Sequence, residues 1–170
     1  MSDSRAGTDP GLPRVSPEAV LFDLDGVLAD IERRQRLCDP ATLARLAQRW
    51  PLGVVTSCPR RLAESVLARH GFLAHVRALV TDEDGPGKPD PAPVRLALQR
   101  LGVAGGWMLG DNPSDVLAAR GAGVVPFAIL PRGIGAEGHA ERLWQAGAVR
   151  LLADVEELAV LLAQIADSVG

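Results

Sequence analysis

The sequence predicts a three-layer α/β/α sandwich of the Rossmann-like type, in which helices cover both faces of a mainly parallel sheet. Short apolar runs alternate along the chain with stretches of helical periodicity, which is typical of βα units. The apolar runs are continuous and do not alternate with polar residues, so each strand is expected to be buried on both faces, as in parallel sheets.

Six strands and six helices account for most of the chain. The strands are predicted over 19–24, 52–57, 77–82, 107–111, 124–129 and 148–152. The helices are predicted over 40–50, 62–70, 94–101, 116–122, 141–146 and 155–165. A chain of 170 residues can bury one substantial core, so we expect a single catalytic domain over 18–170. Residues 1–17 are small, polar and turn-forming, and they are predicted to be a flexible tail.

Composition excludes several classes of partner. The net charge of −3 offers no basic surface for a nucleic acid, and an aromatic content of 4% makes a base-stacking surface improbable. No segment is long and apolar enough for a membrane span or a signal peptide. Two cysteines are too few for a disulfide framework, which favours a cytoplasmic location. Packing is the expected role of Cys58, with a redox switch as the alternative. The three histidines are expected at surface or capping positions, with His139 in a loop.

Polar residues gather where the predicted strands end. Because functional groups of parallel sheets lie beyond the carboxyl ends of the strands, these residues are expected to share one edge of the sheet. They are, in chain order, Asp23, Asp25, Thr56, Ser57, Lys88 and Asp111.

The residue types at this edge suit phosphoryl transfer. Of the two carboxylates Asp23 and Asp25, one would attack while the other moves a proton. Mg²⁺ prefers a few hard oxygen ligands, which Asp23 and Asp111 would supply from two strand ends. A lysine and a hydroxyl with free backbone N–H groups would then hold the oxygens of the phosphoryl group.

The chain carries the motifs DLDGVLAD, VVTS, GKPDP and GDNPSD, in this order. Together they resemble the haloacid dehalogenase (HAD) superfamily, and most of all its phosphatase branch, and the resemblance covers roughly residues 20–129. Carried over by position, it implies that Asp23 is a nucleophile that forms an aspartyl-phosphate. Asp25 would protonate the leaving oxygen and then activate water. Thr56 and the backbone of Ser57 would bind phosphoryl oxygens, and Lys88 would offset charge between Asp23 and the phosphate.

The resemblance also implies a Mg²⁺ site. Its ligands would be Asp23, the backbone carbonyl of Asp25, and Asp111. Asp115 would contact the waters of the metal or only orient Lys88.

Each of these residues has a plainer alternative. Asp25 and the glycine after it are a common turn pair, Thr56 would merely finish a strand, and Lys88 would be a solvated loop residue. Asn112 and the proline after it are typical of a helix start, which puts Asp115 at the third helical position, where an acid favours the helix dipole. For Asp115 the two roles are compatible.

Little chain is left for the cap domain that many HAD relatives insert after the first motif. The second half of 30–50 is already assigned to a helix, which leaves a short flap, DIERRQRLC, over 30–38. Its arginines, Arg33, Arg34 and Arg36, would form either a rim that selects an anionic substrate or, as we favour, a solvated face. An open site would be closed by a neighbouring subunit in a homo-oligomer or by a large substrate.

The leading hypothesis from the sequence is a Mg²⁺-dependent phosphomonoesterase acting on a small phosphorylated metabolite. A phosphoprotein phosphatase and a non-catalytic HAD-fold binding or regulatory module are the alternatives. The intact acid pair argues against the binding module. A mutase and a dehalogenase are disfavoured, the mutase because it must retain its intermediate.

Overall fold

A central six-stranded parallel sheet organises the molecule. The computed structural model describes residues 12–168, so most of the predicted tail lies outside the described residues. The sheet order is β5-β4-β1-β6-β7-β8, and every neighbouring pair in it is parallel. Its strands are β1 (Val20–Phe22), β4 (Leu52–Val55), β5 (Ala78–Val80), β6 (Trp107–Gly110), β7 (Val125–Ile129) and β8 (Arg150–Leu152).

Six helices cover the two faces of this sheet. They are α1 (Pro40–Ala47), α2 (Arg60–Arg69), α3 (Ala92–Leu101), α4 (Pro113–Gly121), α5 (Ala136–Ala146) and α6 (Val155–Ser168). Buried side chains of α1, α2 and α6 pack on one face, and those of α3 and α4 pack on the other. The α5 side chain Leu143 joins a smaller cluster with Val116 of α4 and Ala128 of β7. The predicted three-layer sandwich is therefore confirmed.

Strand β1 shows why the apolar runs do not alternate. Val20 and Phe22 belong to the core on one face, whereas Leu21 belongs to the core on the other. Successive strand residues point to opposite faces, and both faces are covered by helices. Every position of the strand is consequently buried.

The flap between β1 and α1 is a small β-hairpin. Strand β2 (Ala29–Asp30) pairs antiparallel with β3 (Gln35–Arg36), and Arg34 in the turn has a φ of 56°. Only short loops and this hairpin separate β1 from α1, so the described chain has no sizeable cap domain at this point. The sequence predicted a short flap but not its strands, because the segment lacks the apolar alternation that marks a hairpin.

Contacts to the core begin before β1. Leu12 packs against the larger core cluster, and the Trp50 indole N–H donates a hydrogen bond of 3.1 Å to the Ser16 hydroxyl. Leu12 and Ser16 both fall within the predicted tail. Across residues 12–168, no helix combines the length and the hydropathy that crossing a membrane would require.

A network of ion pairs ties the loop after β5 to α2 and α3. The carboxylate of Asp84, in a short 3₁₀ helix over Asp82–Asp84, contacts both Arg60 and Arg100. It also accepts a hydrogen bond of 2.9 Å from the Thr81 backbone N–H. The hydrogen bond from Arg100, followed by that from Thr81, lowers the pKa of Asp84 to about 2.

Replacing Asp84 with Asn is expected to destabilise the fold by about 1 kcal/mol at pH 7, because the negative charge that pairs with the partly exposed Arg60 and Arg100 is lost. The folded pKa of about 2 lies below the ordinary aspartate value of 3.8, so the contribution of Asp84 is present above pH 4 and fades toward pH 2. Urea unfolding at pH 7 and at pH 3 measures this difference. The neighbouring exposed Glu83→Gln is the matched control. An equal deficit of the Asp84 variant at both pH values would contradict the network.

Candidate active site

Strand ends place the predicted residues at one edge of the sheet. Asp23 directly follows β1, Thr56 directly follows β4, and Asp111 directly follows β6, which is the neighbour of β1. The Asp23 carboxylate is buried, and its Oδ1 accepts the Leu24 backbone N–H at 2.8 Å. The buried apolar strand thus fixes a carboxylate in a site that water reaches poorly.

Lys88 is the centre of the site's hydrogen bonding. Its ammonium Nζ lies 3.1 Å from Asp23 Oδ1, 2.6 Å from Asp115 Oδ1 and 2.9 Å from the Val55 carbonyl oxygen. The side chain is only 4% exposed. These three acceptors match the three N–H groups of an ammonium ion. Lys88 is also the only lysine in the sequence, which otherwise carries seventeen arginines. A planar guanidinium would not satisfy three acceptors converging on one point.

Asp115 serves the helix and the site at the same time. Its Oδ2 accepts the backbone N–H groups of Asp111 and Asn112, each at 3.0 Å, in a capping box at the start of α4. Its Oδ1 faces Lys88. The capping bonds and the contact to Lys88 are therefore made by the two oxygens of one carboxylate, and a contact of Asp115 with the waters of a metal stays a prediction.

Three carboxylates form a cluster beside Lys88. One oxygen each of Asp23, Asp111 and Asp115 lies within 4.8 Å of the others, a grouping that could hold a metal ion. Burial, and then repulsion by Asp115, raises the pKa of Asp23 well above its usual value. Burial also raises the pKa of Asp111 to about 6. Burial alone would lower the pKa of Lys88, but the carboxylates of Asp23 and Asp115 outweigh it and raise that pKa. Negative charge exceeds positive charge in this cluster.

Gly26 makes room for this cluster. A Cβ placed on Gly26 would lie 1.9 Å from Asp111 Oδ2, and the residue has a φ of +82°. Only glycine tolerates both the backbone conformation and the close approach of the carboxylate.

Asp25 stands apart from the cluster. Its side chain is exposed, and its Oδ1 accepts the Ile31 backbone N–H at 3.0 Å, which ties it to the flap hairpin. The carboxylate therefore lies at the solvent side of the site and is not one of the clustered acids.

Thr56, Ser57 and Lys88 line a small pocket of about 80 Å³. The Thr56 hydroxyl accepts the Cys58 backbone N–H at 3.1 Å, so its own proton remains available. Within residues 12–168, the Ser57 backbone N–H finds no acceptor. The pocket thus combines an ammonium with a hydroxyl and a backbone donor.

Sequence reasoning missed the contact made by His139. The predicted loop position is wrong, because His139 lies in the first turn of α5, and its Nε2 is 2.7 Å from the Asp111 backbone oxygen. Nε2 must carry a proton to donate to that carbonyl. No pattern in the sequence pairs position 139 with position 111.

The fold and the cluster together define an α/β protein with a candidate metal site at the carboxyl edge of its sheet. The chain belongs to the haloacid dehalogenase-like hydrolases, since the model of that family matches residues 38–123, just over half of the 170 residues. The matched segment includes Thr56, Lys88, Asp111 and Asp115.

Two relatives and one solved structure illustrate the similarity. An imidazoleglycerol-phosphate dehydratase of Phytophthora nicotianae is 34% identical over 74% of this chain. A plasmid phosphoglycolate phosphatase of Cupriavidus necator is 35% identical over 88% of this chain. The chain spans 29% and 66% of the lengths of these two proteins. The fold is shared with a HAD phosphatase from Thermococcus onnurineus, with a TM-score of 0.69, 21% identity, and coverage of 85% of this chain and 97% of that one.

Proposed function

We propose that the protein is a Mg²⁺-dependent phosphomonoesterase that hydrolyses a small phosphorylated metabolite through an aspartyl-phosphate on Asp23. The observation that carries the proposal is the buried Asp23 carboxylate, held at a strand end by Lys88 and flanked by Asp111 and Asp115. The name of the Cupriavidus necator relative, a phosphatase of a small phosphorylated acid, supports the same class of reaction.

In the first step, a carboxylate oxygen of Asp23 attacks phosphorus as the ester P–O bond breaks. Asp25 gives its proton to the departing oxygen, and its exposure allows it to exchange protons with water. The Thr56 hydroxyl and the Ser57 N–H bind the phosphoryl oxygens in the small pocket that they line with Lys88, whose positive charge offsets the repulsion between Asp23 and the phosphoryl group.

In the second step, Asp25 removes a proton from a water molecule that attacks the phosphorus of the aspartyl-phosphate. The bond between phosphorus and the Asp23 oxygen breaks, which restores the carboxylate and releases inorganic phosphate. One water molecule is consumed for each ester hydrolysed, and both aspartates return to their starting protonation states.

The donor set fits Mg²⁺. Three carboxylates have one ammonium, that of Lys88, as their buried counter-charge. The cluster therefore offers hard oxygen ligands and excess negative charge, both of which favour binding of Mg²⁺. Asp23 and Asp111 would hold the ion with the Asp25 carbonyl, and Asp115 would lie next to it. Bound Mg²⁺ would supply positive charge to the cluster and to the phosphoryl group.

Mg²⁺ is expected to stabilise the protein by about 1–3 kcal/mol at concentrations well above its dissociation constant, because a ligand that binds only the folded state shifts unfolding by mass action. Thermal unfolding with and without MgCl₂ measures the shift. Asp111→Asn should abolish most of it, whereas the exposed Asp82→Asn should retain it. An equal shift in both variants would place the ion elsewhere.

The activity is tested by measuring phosphate release from a panel of phosphorylated metabolites, phosphopeptides and an aryl phosphate. We expect release from small esters in the presence of Mg²⁺ and its loss on adding EDTA. Activity on phosphopeptides alone would select a phosphoprotein phosphatase. A protein that is silent across the panel would be a binding module instead.

A further inference from the structure

A second, larger cavity opens beside the acidic cluster. Its volume is about 610 Å³, within the range of small-molecule sites. Gly26 and Asp111 lie on its wall, so it is continuous with the edge of the sheet that holds the cluster. In the proposed reaction, the phosphoryl group would occupy the small pocket beside Lys88. The departing part of the substrate then needs space past the acidic cluster, and this cavity supplies it, since Asp111 belongs both to the cluster and to the cavity wall.

Two loops build the outer part of the cavity. The flap hairpin contributes Arg33 and Leu37, and the loop between β7 and α5 contributes Leu130 and Arg132. Both leucines are exposed, by 41% and 45% respectively. The wall therefore pairs apolar surface with two guanidinium groups.

The two arginines differ in the partners that they already have. Arg33 lies 3.7 Å from Asp30, but its side chain is 77% exposed, so this ion pair holds it weakly. Among residues 12–168, Arg132 has no carboxylate partner. An exposed arginine at a cavity mouth without an ion pair can bind an incoming anion at little cost.

In the described part of the chain, the acids on the cavity wall form no ion pair with these two arginines. Asp154 lines the cavity, but its Oδ1 accepts the Glu157 backbone N–H at 2.9 Å at the start of α6. Asp111 belongs to the acidic cluster, where its carboxylate accepts the Asn112 side-chain amide at 3.1 Å. Both carboxylates are committed to neighbours on their own side of the cavity.

We infer that this cavity binds the leaving group of the substrate and selects one that carries a carboxylate or another anion, which Arg132 contacts with help from Arg33. The inference rests on the proposed function and deepens it. The substrate class is a phosphate monoester whose leaving group carries an anion, with the apolar part of that group against Leu37 and Leu130. The two loops then take over the recognition that an inserted cap would otherwise perform.

A matched pair of esters tests the inference, namely 4-carboxyphenyl phosphate and 4-carbamoylphenyl phosphate, which have nearly the same size and differ in charge. We expect kcat/KM to be about tenfold higher for the carboxylate ester, as one charge-assisted hydrogen bond provides. In Arg132→Gln the ratio of the two kcat/KM values should fall from about 10 to about 1. In Arg33→Gln the same ratio should fall to about 3. Arg69→Gln, an exposed arginine at the far end of α2, should keep the wild-type ratio.

A binding measurement tests this inference independently of the proposed function. Titration calorimetry of both esters against Asp23→Asn, and against Asp23→Asn with Arg132→Gln, measures selection without turnover. A carboxylate preference that depends on Arg132 supports the pocket even if the wild type hydrolyses neither ester, an outcome that would defeat only the proposed function. Hydrolysis of both esters with equal kcat/KM and equal affinity would overturn the pocket and leave the proposed function intact.

Discussion

The Asp23→Asn variant is expected to release phosphate from an aryl phosphate at least about 10³-fold more slowly than the wild type, because an amide oxygen cannot replace the attacking carboxylate. The fold should survive, since an amide has the shape of a carboxylate and can still accept the Leu24 N–H. Stability should be equal or higher, because burial and repulsion by Asp115 penalise the Asp23 charge. Phosphate release and thermal unfolding, measured on the same preparation, test both halves of this prediction.

Asp25→Asn is the informative comparison. It preserves the nucleophile Asp23 and removes the proton donor. With nitrophenyl phosphate, whose leaving group needs no proton, phosphorylation of Asp23 should therefore still occur. Slow hydrolysis would then trap the phosphoenzyme, visible as an 80 Da mass increase. Full activity in Asp23→Asn would refute the mechanism, whatever the behaviour of Asp25→Asn.

The Lys88→Met variant is expected to lose about 3–5 kcal/mol of stability, because it leaves buried carboxylates without their positive partner. Methionine matches the length of lysine but offers nothing to Asp23, Asp115 or the Val55 carbonyl. Urea unfolding at pH 7 measures the loss. Activity should also fall, since the same ammonium is assigned to offset the repulsion between Asp23 and the phosphoryl group.

Two further variants separate charge from packing at position 88. Lys88→Arg restores the charge but not the three-way donor geometry, so it should recover only part of the stability. Adding Asp23→Asn to Lys88→Met removes one of the stranded charges and should also recover part of the loss. A Lys88→Met protein as stable as the wild type would show that the ion pairs contribute nothing to the fold.

The strand ends were predictable because the signal there is local. A buried apolar run followed at once by an acid locates Asp23 and Asp111, and parallel topology then brings the two residues to one edge of the sheet. The Asn112 cap and Asp115 followed from helix-start chemistry that operates within four residues.

The cavity walls were not predictable in this way. Arg132 and His139 occur in a segment, PRGIGAEGHAERLWQ, without a periodic apolar pattern before the helix begins. Their positions depend on how the loop after β7 returns across the sheet edge, which is a tertiary property. The flap itself was predicted, but its strands were not, since the pairing of Ala29 with Arg36 leaves most of its side chains exposed.

The solitary lysine gives the protein a chemical property that its seventeen guanidinium groups do not share. Outside the chain terminus, the only primary amine is the buried ammonium of Lys88. Acylating reagents can reach this amine only when the loop that carries it swings away from Asp23 and Asp115. The rate of acylation at this single amine therefore measures how often Lys88 becomes exposed to solvent. A ligand bound at the site should lower that rate.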